Sequence, residues 1–194
     1  LTNNGTLVLE GSAVVTTALT TGAGSVLRVR GTGVTSAANV TITNGFTNTG
    51  VVQLTTENAG YTVQLTVASG TLTNASTGTI TSLQGAGGSR TLAVELNNQG
   101  ALVLPYDLTL ARASAAHVNS GTITTSGTAD LTVTQTGTAP SFTNTGTITL
   151  AGGRSLAVSG GLLDLQAGLV AGYTSFVAHA GGPPFQIWVT PRRL

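Results

Sequence analysis

The sequence contains no cysteine, so neither a disulfide framework nor a thiolate metal site is available to hold it together. It contains no lysine either: all seven basic residues are arginine, set against six acids. Charged residues make up 7% of the chain, where a globular domain carries about a quarter. The net charge of +1 gives no electrostatic argument for nucleic acid or an anionic membrane as partner. No run of about 18 or more apolar residues is present, which excludes a membrane-spanning helix, and no signal peptide is legible. A sustained 3.6-residue apolar stripe is also missing, while β-branched residues and glycine dominate, and both facts argue against helix.

What the sequence does have is a repeat. Phe142-Thr143-Asn144-Thr145-Gly146-Thr147-Ile148-Thr149-Leu150 is its clearest copy. The same pattern, apolar-x-Asn-x-Gly-x-apolar-x-apolar, opens at Leu1, Phe46, Leu96 and His117, and at Leu72 with two extra residues before Gly78. The asparagines at 48, 74, 98, 119 and 144 are 26, 24, 21 and 25 residues apart. The 45-residue step from Asn3 to Asn48 leaves room for a degenerate copy between them. A period in this range signals a solenoid, a propeller or an array. After each glycine the apolar residues alternate, as in Ile148 and Leu150, which is the two-residue period of a strand with one face inward. The glycine is expected to supply a positive φ at a corner. A second strand follows in most units, such as Leu92-Ala93-Val94 and Leu131-Thr132-Val133, often behind Gly-Gly corners at 87–88 and 152–153.

The fold class predicted is all-β: a single-stranded parallel β-helix, or β-solenoid, of about eight coils of 21–26 residues. Stacked in this way, Leu1, Phe46, Leu72, Leu96 and Phe142 form an inward apolar column. Asn3, Asn48, Asn74, Asn98, Asn119 and Asn144 form a structural ladder whose amides bond up and down the stack. Residues 1–159 are assigned to the repeats, and 160–194 to a terminal coil plus a C-terminal cap or docking segment. Phe185, Trp188, Arg192 and Arg193 are its candidate interface residues, and His179 stands alone there. The chain begins inside a repeat unit without an initiator methionine, so it is expected to be part of a longer polypeptide whose solenoid continues upstream.

Candidate chemistry is sparse. Asp107 and Asp130 precede equivalent strands of neighbouring coils and should point outward about 5 Å apart, close enough to share a proton or a cation. They define the candidate ligand face, with a glycan as the candidate ligand, and no arginine aligns with them. His117 takes the place of Leu or Phe in the apolar column, where packing is its expected role. Arg28 and Arg30 face outward from one strand. Thr79/Thr81, Thr122/Thr124 and Thr147/Thr149 suggest a flat threonine array of the kind that binds ice, but Ala101/Val103 and Val51/Gln53 interrupt it. No catalytic, cofactor, zinc, phosphate or calcium-repeat motif is present, so no cofactor and no metal are expected.

Residues 142–150 and the segment Gly152-Gly153-Arg154-Ser155-Leu156-Ala157-Val158-Ser159-Gly160-Gly161 resemble the degenerate repeats of large bacterial surface proteins. These are the β-helical adhesins, autotransporter passengers and filamentous-haemagglutinin-like proteins, and the resemblance extends over residues 1–165. It implies a right-handed β-helix, export to the cell surface, and a role as stalk, adhesin or surface-layer element; no catalytic residue carries over. The resulting expectation is a non-enzymatic rod that forms a homo-oligomer or joins a larger surface assembly. A carbohydrate-active β-helix enzyme and an ice-binding protein are the alternatives.

Overall fold

A computed structural model describes residues 1–166 and the strands Leu169–Ala171 and Val177–His179. Among the described residues every regular element is a β-strand, every strand pairing is parallel, and no helix is long and apolar enough to cross a membrane. The chain is a β-solenoid. Phe185, Trp188, Arg192 and Arg193 lie outside the described residues.

Each coil has three faces rather than the two strands that alternation alone suggests. The first face is the segment carrying the asparagine, for example Ser141–Asn144. The second follows the template glycine, as Thr147–Leu150. The third is the later strand, as Leu156–Ser159. The second face forms an eight-stranded sheet running from Thr6–Leu9 to Leu169–Ala171, one strand per coil. The first and third faces belong to one thirteen-stranded sheet, because Ala38–Asn48, Val63–Asn74 and Arg90–Asn98 pass from one face to the next without leaving the strand. Register shifts between Asn44 and Phe46, and between Ala93 and Glu95, absorb those corners.

Register is set by burial. On the second face Val52, Ile80, Leu102, Ile123 and Ile148 stack in line and are essentially inaccessible. A slip of one residue would turn each of them outward. The apolar column of the first face also forms: Phe46 pairs with Leu72, Leu72 with Leu96, and His117 with Phe142. Leu1 departs from it. Leu1 is 53% exposed, with Leu19 beside it in the next coil and no strand on its other side among the described residues.

The template glycines depart from expectation more instructively. None of Gly5, Gly50, Gly78, Gly100, Gly121 and Gly146 has a positive φ. At all of these but Gly5 the coils touch: a Cβ on Gly121 would lie 2.1 Å from the Gly100 carbonyl oxygen, and one on Gly146 2.1 Å from that of Gly121. The left-handed glycines are elsewhere, at corners such as Gly87, Gly88 and Gly153.

Candidate functional site

Five of the six ladder asparagines meet side chain to side chain, whereas Asn3 departs from the expectation: its Nδ2 donates to the Val26 carbonyl at 3.0 Å and its Oδ1 accepts the Gly5 N–H at 3.2 Å. Asn48 Nδ2 donates to Asn74 Oδ1 at 2.8 Å and Asn74 to Asn98 at 2.8 Å. Asn98 donates to Asn119 and Asn119 to Asn144, both at 2.6 Å. Each Nδ2 also reaches the carbonyl of its own template glycine, as Asn48 to Gly50 at 3.1 Å and Asn144 to Gly146 at 3.1 Å. Between Asn3 and Asn48 the degenerate copy is the coil of Thr20–Thr21. Thr21 stands in the ladder there, its Oγ1 donating to Asn48 Oδ1 at 3.1 Å. In the last described coil Leu165 pairs with Asn144 in the ladder register. Asn74 is fully buried, so its Asn-Ala-Ser sequon is closed off inside the stack.

Asp107 and Asp130 are stacked, since Leu108, Leu131 and Leu156 are in register. They bind the neighbouring coils. Asp107 Oδ1 accepts the Asp130 N–H at 2.9 Å. Asp130 Oδ1 accepts the Ser155 N–H at 2.6 Å and Ser155 Oγ at 3.1 Å. An arginine does approach, contrary to the sequence reading: Arg154 Nη1 lies 3.6 Å from Asp130 Oδ2. The next corner below continues the arrangement, with Ser89 and Thr62 hydroxyls 3.3 Å apart. Each acid therefore commits one oxygen to holding the following coil, as a short side chain does when it caps exposed backbone. A surface groove of about 440 Å³ runs along this corner, lined by Gly88, Ser89, Asp107, Thr109, Asp130 and Thr132 among others. Among the described residues no three His, Asp or Glu side chains converge in a way that would hold a metal ion.

Arg90 forms the floor of the groove and escaped the sequence reading. It occupies an inward position opposite Val63 and is 1% exposed, yet no carboxylate pairs with it among the described residues. Its guanidinium is caged by neutral oxygens. Nε donates to Leu83 O at 3.1 Å, Nη1 to Ser89 O at 3.2 Å and Tyr61 O at 3.4 Å, and Nη2 to Gln84 O at 2.8 Å and Thr56 Oγ1 at 3.1 Å. The Tyr106 ring lies 5.2 Å away, within cation–π range. Burial lowers the Arg90 pKa, and Tyr106 partly opposes this. All the N–H groups are occupied, so Arg90 pins the loops at 56–61 and 83–89 and offers nothing to an anion.

His117 is buried in the apolar column. Its Nδ1 accepts the Leu96 N–H at 3.3 Å, which places the ring proton on Nε2, where no partner is found among the described residues. Desolvation lowers its pKa to about 4, with Glu95 opposing and Arg112 assisting. The outward arginines are engaged: Arg30 bridges Glu10 and Glu57, and Arg28 Nε donates to Gln53 Oε1 at 3.0 Å. The threonine columns run Val51–Thr79–Ala101–Thr122–Thr147 and Gln53–Thr81–Val103–Thr124–Thr149, with the interruptions the sequence shows.

No family model, curated protein or solved structure matches this chain.

Proposed function

We propose that the chain is a non-enzymatic, extracellular β-solenoid of structural or adhesin type, a stiff surface rod that associates with itself or with a larger assembly. One observation carries the reading: an unbroken buried ladder from Asn48 to Asn144 inside a fully parallel stack. A ladder of this kind ties each coil to the next over the whole length, and in the low-dielectric interior its bonds reinforce one another. The outward side chains that were candidates for chemistry, Asp107, Asp130, Arg28 and Arg30, each bond to a neighbouring coil. Electron microscopy and sedimentation of the purified protein test the reading. Rods longer than one stack, growing with concentration, support it; compact monomers at every concentration count against self-association and leave a partner assembly to be sought.

A second reading follows from the groove. Its hydroxyls and carboxylates suit a hydroxyl-rich glycan, and the alternative of a carbohydrate-active enzyme places Asp107 and Asp130 there. Turnover of any member of a glycan panel that is lost in Asp130→Asn would establish this reading, and no turnover and no binding across the panel would remove it.

A further inference from the structure

The asparagine ladder fixes the corner between the first and second faces, which leaves two corners per coil. At those two, three charged residues tie together the coils of residues 51–74, 79–98 and 101–119. Arg90 acts at the corner between the second and third faces. Its guanidinium donates to Thr56 Oγ1 and the Tyr61 carbonyl one coil back, and lies against the Tyr106 ring one coil on. The loops it holds are also bonded to each other. Thr56 Oγ1 donates to the Gly87 carbonyl at 2.9 Å and accepts the Ala86 N–H at 3.1 Å, and Ser82 Oγ donates to the Tyr106 carbonyl.

Glu95 and Arg112 act at the corner between the third and first faces. Glu95 Oε1 accepts the Thr71 hydroxyl one coil back at 2.7 Å, and Oε2 accepts the Ala116 N–H one coil on at 3.3 Å. Arg112 reaches further. Its Nη1 donates to the Val67 carbonyl at 2.9 Å and the Gly70 carbonyl at 2.8 Å, and its Nη2 to the Ala68 carbonyl at 3.3 Å, all two coils back. Hydrogen bonds from or to a charged group are the stronger kind. Past residue 119 the corner ties among the described residues reach one coil at a time. Ser114 Oγ accepts the Thr138 N–H, Asp130 accepts the Ser155 N–H, and Arg154 donates to the Thr128 carbonyl. On the other side Arg30 spans Glu10 and Glu57, but through surface ion pairs, which hold weakly.

We propose that residues 51–119 form one cooperative block, three coils that part together or not at all, and that this block is the segment of the rod that resists axial pulling. In a stack joined only through neighbours, each junction opens on its own terms. Arg112 changes this, because its bonds pass over the middle coil. Parting 51–74 from 79–98 severs them, and so does parting 79–98 from 101–119. Once either junction has opened, the other has lost part of what held it, which is the condition for a cooperative unit. Arg90 and Glu95 act in the same sense. Both belong to the middle coil and contact the coil on either side, so that coil leaves neither neighbour without disturbing a buried guanidinium and a bonded carboxylate. Resistance to pulling rests on the reading of the chain as a rod; the block itself does not.

Native-state hydrogen exchange of the full chain in rising urea is the test. The Leu83 N–H, bonded to the Leu54 carbonyl at 2.8 Å, reports the first junction, and the Ala101 N–H, bonded to the Gly78 carbonyl at 3.0 Å, reports the second. The Thr147 N–H, bonded to the Gly121 carbonyl at 2.9 Å, lies outside the block. In the parent, Leu83 and Ala101 should exchange through one opening with one urea slope, and Thr147 through a smaller opening with a shallower slope. Arg112→Ala should speed Leu83 and Ala101 alike by at least about tenfold, the factor for one lost hydrogen bond to a charged group, although neither lies at the Arg112 corner. Arg154→Ala, which removes a bond to the preceding coil alone, should change neither. Arg112→Lys, with one ammonium for three carbonyls, should fall between Arg112→Ala and the parent. Different slopes at Leu83 and Ala101, a common slope that also includes Thr147, or an Arg112→Ala effect confined to one junction would each overturn the block and leave the rod reading standing. The slopes of the parent decide the question on their own if Arg112→Ala does not fold. A shared slope in a chain that sediments only as compact monomers keeps the block and overturns its role under tension.

Discussion

A buried amide and a buried imidazole show how differently single polar residues are treated in this core. Asn98 receives the Asn74 donor and gives its own to Asn119. Asn98→Ala would strand the Asn119 acceptor, remove an acceptor from Asn74 and open a small void, and the expected cost is about 3 kcal/mol, read as a shift in the urea midpoint. A loss below about 0.5 kcal/mol, ordinary for a surface position, would deny the ladder its energetic role. His117 Nε2 has no partner among the described residues, and its pKa falls from 6.5 to about 4 on folding. Between those values the unfolded chain binds the proton more readily, so folding stability rises with pH. The contribution is complete above pH 6.5 and is lost as pH falls toward 4, up to about 3 kcal/mol at 1.36 kcal/mol per unit. His117→Leu should flatten that slope in denaturation at pH 7 and pH 4.5, and an unchanged slope would assign it to another group. The asparagines were legible because a ladder needs the same residue once per coil. Arg90 also sits in phase with Leu92 and Val94, but its cage combines the loop just before it with Thr56 and Tyr61 one coil away, and no local pattern announces carbonyl oxygens.

At the level of the coil, glycine has two uses that the sequence writes identically. The corner glycines, such as Gly153, are needed for backbone conformation, and the template glycines for contact between coils. Reading Asn-x-Gly as a corner found the right place for the wrong reason, because the interfering atom belongs to a residue about one repeat away. The distinction is measurable. Gly121→Ala drives a methyl into the Gly100 carbonyl and should cost about 3 kcal/mol or more, at the upper end for overpacking. Gly5→Ala, which occupies the same template position with open space beneath it, should change the melting midpoint by no more than a surface substitution does. Equal effects would mean that backbone conformation, not contact, selects glycine there. The third face was half visible: its strands were legible as alternating runs, but the merging of two faces through Ala38–Asn48 and its relatives depends on register shifts that leave no mark in composition.

Over the whole molecule, strand pairing and the ladder join each coil to the coils before and after it, while the Arg112 guanidinium reaches two coils back to the Val67 and Gly70 carbonyls, so stability is close to a sum of neighbour terms and opening starts at the ends. Native-state hydrogen exchange should find the N–H groups of Thr79, Ala101 and Thr122 slowest and that of Val26 faster, although all four donate to the equivalent carbonyl one coil earlier. Uniform protection would indicate a single cooperative block instead. The stack was legible as a whole because its period and its inward columns are one-dimensional information. The ladder has one more property: every link from Thr21 to Asn144 donates in the same sense, from the coil nearer the N-terminus to the next. A chain delivered N-terminus first, as in synthesis, therefore meets a finished coil with its amide hydrogen waiting and brings the oxygen with it. The order in which the coils are made and the direction in which the column points coincide, so the molecule has an arrow in time as well as in space.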